Sequence, residues 1–234
     1  MKRFYKDVAA APAGGGWRVT LDGRPLRTQR GAAQVMPNEA AAQLLAEEWR
    51  AQGDEIDPRS FVFRDLADFA IDMVRSDRAA AIDKLLAYAE TDTLCYRADP
   101  DEPLWRRQQE VWEPLVTACE ARHGMKLARG SGIVHRPQGD ATLAALRDRL
   151  EAEDDFTLAA LTTLASLAAS LLVALAALED DADPATLFAA ANLEEDWQAE
   201  LWGWDHEAEA ARAAKLEAFT KAALFARAVR LPER

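Results

Sequence analysis

The rhythm of hydrophobic and polar positions changes once along this chain, near residue 37. Before that point it has a period of two. Trp17, Val19 and Leu21 alternate with Arg18, Thr20 and Asp22, the pattern of a strand with one face buried. Asp22-Gly23 follows. A tight hairpin turn needs two residues that accept positive φ, so Arg24 to Thr28 is expected to run back as the partner strand. Phe4 to Val8 reads as a further strand. Gly14-Gly15-Gly16 joins it to the next and lacks the Lys and Ser/Thr of a phosphate loop.

Beyond residue 37 the period becomes helical. Asn38 is placed to cap a helix running to about Gln52, with Gly53 beyond its end. Pro58 and Ser60 begin another, carrying Val62, Leu66, Phe69 and Met73. Ile82, Leu85, Leu86 and Ala89 mark a third. Thr93 to Tyr96 reads as a short extended piece. Leu104, Gln108, Val111, Leu115 and Cys119 mark a fourth helix, with a kink or restart expected at Pro114 and a stop at Gly124. Residues 125–139 read as loop or short hairpin, and Asp140 opens a helix bearing Leu143, Leu146 and Leu150. Asp183-Pro184 pairs a capping oxygen with a proline suited to a first turn, so a helix is expected from there to about Trp202. Asp205 can cap a last helix through about Val229. The expected fold class is α+β. A small antiparallel β-rich domain spans 1–37, its boundary extendable to about residue 60, and a larger α-helical domain spans 38–234.

Phe156 to Leu178 is 23 residues without a charge, long enough to span a bilayer. Its content argues otherwise. Eight of these residues are alanine, five are serine or threonine, and both flanks are acidic. A membrane helix carries Lys or Arg on its cytoplasmic side and Trp or Tyr at the interfaces. The segment is therefore expected to be the central helix of a bundle, with no stable membrane insertion.

Charge narrows the partners. The 234 residues carry 28 basic and 40 acidic side chains, for a net −12. That balance disfavours nucleic acid and anionic lipid, both of which call for a basic footprint. Cys95 and Cys119 form no CxxC pair and read as reduced, half-buried thiols. The first eight residues are basic in part but hold no apolar run, so they are not a secretory signal.

Chemistry-bearing patterns are few. His123, His135 and His206 have no ligand at metal spacing, and no serine lies in a GxSxG turn. No metal, cofactor or nucleotide is expected. Acidic clusters such as Glu47-Glu48, Asp154-Asp155 and Asp180-Asp181-Asp183 read as solvated surface. Two of them converging in a cleft would make a carboxylate hydrolase, the alternative reading. One acidic site stands apart. The apolar stripe of Leu187, Ala190 or Ala191, and Leu201 also holds Glu194 and Gln198 at i and i+4, with Trp197 and Trp202 close by. A carboxylate beside an apolar face is costly unless paired, so it is either satisfied by a neighbouring helix or offered to a partner. Trp197, Trp202 and Trp204 fall within eight residues, as core or as interface.

Several segments resemble a known family in order along nearly the whole chain. They are Phe4-Tyr5-Lys6-Asp7-Val8; Trp17 to Thr28 (WRVTLDGRPLRT); Glu48-Trp49 with Gln52-Gly53, Ile56 and Pro58; Glu90-Thr91-Asp92 with Leu94-Cys95-Tyr96-Arg97; and Leu193-Glu194-Glu195-Asp196-Trp197-Gln198 with Trp202-Gly203. Together they are similar to the mitochondrial and alphaproteobacterial assembly chaperone that serves the alpha subunit of ATP synthase. The resemblance implies a β-rich N-terminal domain and a helical C-terminal domain. It implies no enzymatic activity and no nucleotide cycle. It also implies binding of the unassembled alpha subunit until the beta subunit replaces it. It assigns a functional carboxylate to Glu194, within an expected partner-binding set of Glu194, Glu195, Gln198 and Trp202. The absence of a basic amphipathic presequence points to a bacterial member acting in the cytoplasm, with eukaryotic relatives in the mitochondrial matrix.

Overall fold

The computed structural model describes residues 1–132, 134–203 and 205–232. Trp204 of the tryptophan cluster and Ile133 of the 125–139 loop lie outside the described residues. The chain forms two compact units. The first takes Met1–Arg78, Asp154–Ala160 and Leu224–Arg234; the second takes Ala79–Glu153 and Leu161–Ala223.

The first unit is built on an antiparallel sheet of order β1 (Val8–Ala13), β2 (Gly16–Leu21) and β3 (Arg24–Pro25). Asp22 and Gly23 turn the second hairpin with φ of 49° and 77°, the two positive values this turn requires. The expected strand at Phe4 begins only at Val8, because other bonds hold the residues before it. The amides of Lys6 and Asp7 donate to Asp22 Oδ1 at 3.0 and 2.8 Å, and the Tyr5 hydroxyl donates to Trp49 O at 2.6 Å. Trp17 and Met36 exchange backbone hydrogen bonds of 2.9 and 2.7 Å. The approach is so close that a Cβ at Gly16 would lie 2.1 Å from Met36 O.

Helix α1 (Glu39–Arg50) packs on this sheet and covers Val19 and Leu21 with Leu45 and Trp49, all four buried. Asn38 caps it, its Oδ1 accepting from Ala41 N at 2.9 Å. The Asn38 amide also donates to Ala228 O, Val229 O and Leu231 O at 2.8, 3.2 and 2.9 Å. Helix α2 (Val62–Phe69) runs on as a π-helical turn, Ala70–Val74. Buried Glu48 caps it by accepting from Phe63 N and Arg64 N at 2.8 and 3.0 Å. Three short strands cannot enclose a core alone. The change from strand to helix at residues 37 and 38 therefore falls inside the first unit, which extends to Arg78.

The second unit is helical around one small parallel pair, β4 (Tyr96–Arg97) with β5 (Gly130–Ser131). Its helices begin with α3 (Arg78–Glu90) and the long α4 (Pro103–His123). Next come α5 (Asp140–Glu151), α6 (Asp155–Ala168) and α7 (Leu171–Ala176). The last are α8 (Pro184–Ala191), α9 (Leu193–Trp202) and α10 (His206–Val229). Helix α6 enters the unit from Leu161 and α10 leaves it after Ala223.

Three expectations are corrected here. Pro114 does not restart α4, which runs unbroken through it. Trp112 on one side and Val116 and Cys119 on the other are buried, and Trp112 Nε1 donates to Ala190 O at 2.7 Å, so packing on both sides carries the helical run through the proline. The apolar segment 156–178 is not one helix. It breaks at Ala169, whose φ is 47°, and Ser170 caps the next helix by accepting from Val173 N at 3.0 Å. Among the described residues no helix is long and apolar enough to cross a membrane. The helix from Pro184 likewise ends early, at Asn192, whose side chain turns back to donate to Phe188 O at 2.8 Å.

The break at Ala169–Ser170 is held by Asp92, which has no solvent exposure. Its carboxylate accepts from Leu94 N at 3.1 Å, Ser170 Oγ at 2.8 Å and Leu172 N at 3.0 Å. Burial pushes its pKa up to about 6, against the pull of those donors. Cys95 and Cys119 are reduced and buried, and desolvation pushes both thiols up to about 12.

Candidate functional site

Helix α9 is unlike the others in how little it buries. Of its ten residues only Leu193 is buried. Its outer surface ends in Leu201, 59% exposed, and Trp202, 83% exposed. Such side chains in water are common singly, but two large apolar residues adjoining at a helix end offer contact area to a partner. Asp196 anchors the helix, accepting from Arg212 Nε of α10 at 2.7 Å.

At its first turn α9 borders a shallow depression of about 420 Å³ lined by Tyr96, Arg97, Ala98, Leu104, Gly132, Glu194, Glu195 and Gln198. The structure thus brings together three of the expected partner-binding residues, Glu194, Glu195 and Gln198. Trp202 lies at the other end of the helix and does not line the depression.

Glu194 is the polar centre of this region. Its Oε1 accepts from Gln108 Nε2 at 2.7 Å. Gln108 is fully buried in α4, and its Oε1 accepts from Ala98 N at 2.8 Å. The backbone amide fixes which end of the glutamine is oxygen, so the NH₂ end is committed to Glu194. Although the residue as a whole is exposed, its carboxyl group is partly desolvated. That burial raises its pKa above the ordinary glutamate value, and the Gln108 bond opposes the rise. Among the described residues, Gln108 is its one charge-relieving partner, leaving one carboxylate oxygen with room for a further donor.

The floor of the depression is held by an ionic network. Arg97, buried, pairs with Glu113 at 2.7 Å. Arg129 pairs with Glu113 at 2.8 Å and also with Glu120, which accepts from Leu127 N at 2.7 Å. Burial pushes the Glu113 carboxyl up, but the Arg129 and Arg97 guanidiniums outweigh it and hold it below the ordinary range. The network fixes β4, α4 and the chain before β5 against one another, and so fixes the rim.

Sequence reasoning placed Glu194 between two possibilities, a neighbouring helix or a partner. The geometry gives it a neighbour, and the residue missed was that neighbour. Gln108 had a signal: an amide within the otherwise apolar stripe of α4. Tyr96 and Arg97 had a short extended segment and a place in one of the motifs that carry the family resemblance, but nothing that pointed to Glu194.

The family model of the ATP12 chaperone protein matches residues 2–120. The mitochondrial protein atp12 of Schizosaccharomyces pombe is 27% identical over 214 residues, 86% of this chain and 74% of that protein. The crystal structure of Atp12 from Paracoccus denitrificans superposes with a TM-score of 0.91 at 37% identity, covering 98% of both chains. A candidate chaperone from Agrobacterium tumefaciens superposes equally well, at 0.91 and 38% identity, over 97% of this chain and 85% of that one. From the match over its first half and the superposition over nearly its full length, the chain belongs to the ATP12 chaperone protein family.

Proposed function

We propose that this protein is an assembly chaperone of the F-type ATP synthase catalytic head, acting in a bacterial cytoplasm. It holds the unassembled alpha subunit and keeps it from aggregating until the beta subunit takes its place. It works by binding alone, without catalysis, metal or nucleotide. The observation that carries this reading is α9, a helix that buries one residue, carries the partly desolvated carboxylate of Glu194 in its first turn and presents Leu201 and Trp202 to solvent at its end. An exposed aromatic anchor and, on the same helix, a polar group that still has a lone pair to offer are features found in interface hot spots. Glu194 and Glu195 are consecutive on one helix turn, whereas a two-carboxylate hydrolase needs its acids facing each other across the substrate.

The test is light scattering of isolated alpha subunit, without nucleotide, against an unrelated acidic protein of equal mass. Suppression near equimolar ratio, reversed by adding beta subunit, is the expected result. Scattering equal to the control overturns the reading.

A further inference from the structure

Helix α9 carries four acids and no base, and their surroundings divide them. Asp196 accepts from Arg212 Nε at 2.7 Å, and Glu200 pairs with Arg107 at 3.2 Å. Neither of these two acids lines the depression. Glu194 and Glu195 do line it, and among the described residues no guanidinium or ammonium forms an ion pair with either. The arginines of the chain thus neutralise α9 except where it borders the depression.

The cations nearby do not fill the gap. Arg97 is buried and already matched by Glu113 at 2.7 Å. The stem of Arg136 lies over Gly130, outside the lining: a Cβ there would be 3.4 Å from Arg136 Cδ. Glu194 is partly desolvated with only the neutral Gln108 to offset the cost, and its Oε2 has no donor. A third acid adjoins: Asp99 Oδ1 is 3.6 Å from the place a Cβ would take on Gly132, a lining residue. Like charges this close repel, and a cation set among them is favoured by all. Among the described residues no three His, Cys, Asp or Glu side chains gather to hold a metal ion. Ala98 and Leu104 give the depression an apolar wall.

We infer that the depression receives a lysine or arginine side chain of the bound partner, its stem along Ala98 and Leu104 and its charge between Glu194 and Glu195. A cationic head brings several donors at once, so it serves Glu194 Oε2 and the Glu195 carboxylate together. A neutral backbone amide would fill one acceptor and leave the repulsion in place. So shallow a depression does not enclose a free metabolite. A side chain held on a folded surface needs only its stem covered while its charge stays near water. The inference rests on the reading of α9 as the partner-binding face, and adds the chemistry that this face recognises.

The test uses the full chain and a fluorescent pentalysine peptide, with anisotropy read between about 50 and 300 mM salt. Because the whole chain is acidic, the side-chain NH₂ resonances of Gln108, followed by ¹⁵N NMR, report whether the peptide sits beside Glu194. Wild type is expected to bind more weakly as salt rises, with a saturable shift of those resonances. Glu194→Gln should weaken binding by about fivefold and Glu195→Gln by about twofold. Glu207→Gln, which removes the same charge from an exposed site in the first turn of α10, is the control and should leave binding unchanged. Equal affinity in all variants, unmoved Gln108 resonances, or no binding at all overturns the proposal. So does fully acetylated pentalysine, which keeps the stems without the charge, if it binds as tightly. Pentalysine bound through Glu194 and Glu195 by a protein that leaves alpha-subunit aggregation unchanged would uphold the cation site and overturn the alpha-subunit reading. Suppressed aggregation with no pentalysine site would do the reverse.

Discussion

Two carboxylates of the second unit, Asp92 and Glu194, invite comparison. Each sits by a break between consecutive helices, and burial raises the pKa of each. There the likeness ends. Asp92 has no exposed surface and three neutral donors within 3.1 Å, two of them across the Ala169–Ser170 break it stabilises. Glu194 has one donor, Gln108, and opens on a depression. A desolvated carboxylate whose acceptor sites are filled is part of the architecture; one with sites left over keeps them open to water or to a partner. Donor number and burial together separate the two acids: Asp92 is buried with three donors, and Glu194 is exposed with one.

Removing the two groups should break the comparison most sharply. Asp92→Ala strands the Leu94 and Leu172 amides and the Ser170 hydroxyl in the core, and is expected to cost about 3–5 kcal/mol in urea unfolding. Gln108→Leu takes the acceptor from Ala98 N and the donor from Glu194. It should cost about 1–2 kcal/mol and also weaken alpha-subunit binding. Glu194→Gln should change stability by no more than about 0.5 kcal/mol, in the direction of a gain at neutral pH, because it removes a desolvated charge. Its affinity for the alpha subunit, measured by titration calorimetry, should drop about tenfold. Trp202→Ala should move the unfolding midpoint least of all while producing a comparable loss of affinity. A large stability loss in either α9 variant would place that helix on the structural side of the divide.

The pH dependence sharpens the same point. The native chain keeps the Asp92 proton up to about pH 6, whereas the unfolded chain releases it near 4. Between those values the native state binds more protons, so stability from this site is full below about pH 4 and is lost as pH rises through about 6. Asp92→Asn cannot titrate. Its unfolding free energy should decline less than wild type between about pH 4.5 and 6.5.

Local chemistry was legible in the sequence wherever a residue acts on its own neighbourhood. Asn38 and Asp183 cap the helices they precede, and Asp22-Gly23 makes the turn its φ values require. What escaped were features set from a distance. The break at Ala169 has no glycine or proline to announce it; it is imposed by Asp92, close to eighty residues earlier in the chain. Pro114 looked like a breaker but is overruled by the packing of Trp112, Val116 and Cys119. Glu194 could be singled out because a carboxylate interrupts an apolar stripe. Its partner could not be identified, since only the folded chain shows which helix lies opposite.

The amide of Asn38 reaches residues 190 to 193 positions further along the chain. The helix it caps spans Glu39–Arg50, and the carbonyls it satisfies lie at 228, 229 and 231. The first unit therefore stays unfinished while some 150 residues beyond Arg78 are added, roughly 8–30 s at ordinary elongation rates. Throughout that interval the nascent sheet and its first helix lack their closing contacts. A member of a chaperone family thus spends much of its own synthesis incomplete, and a truncation that removed residues 228–231 would leave it so.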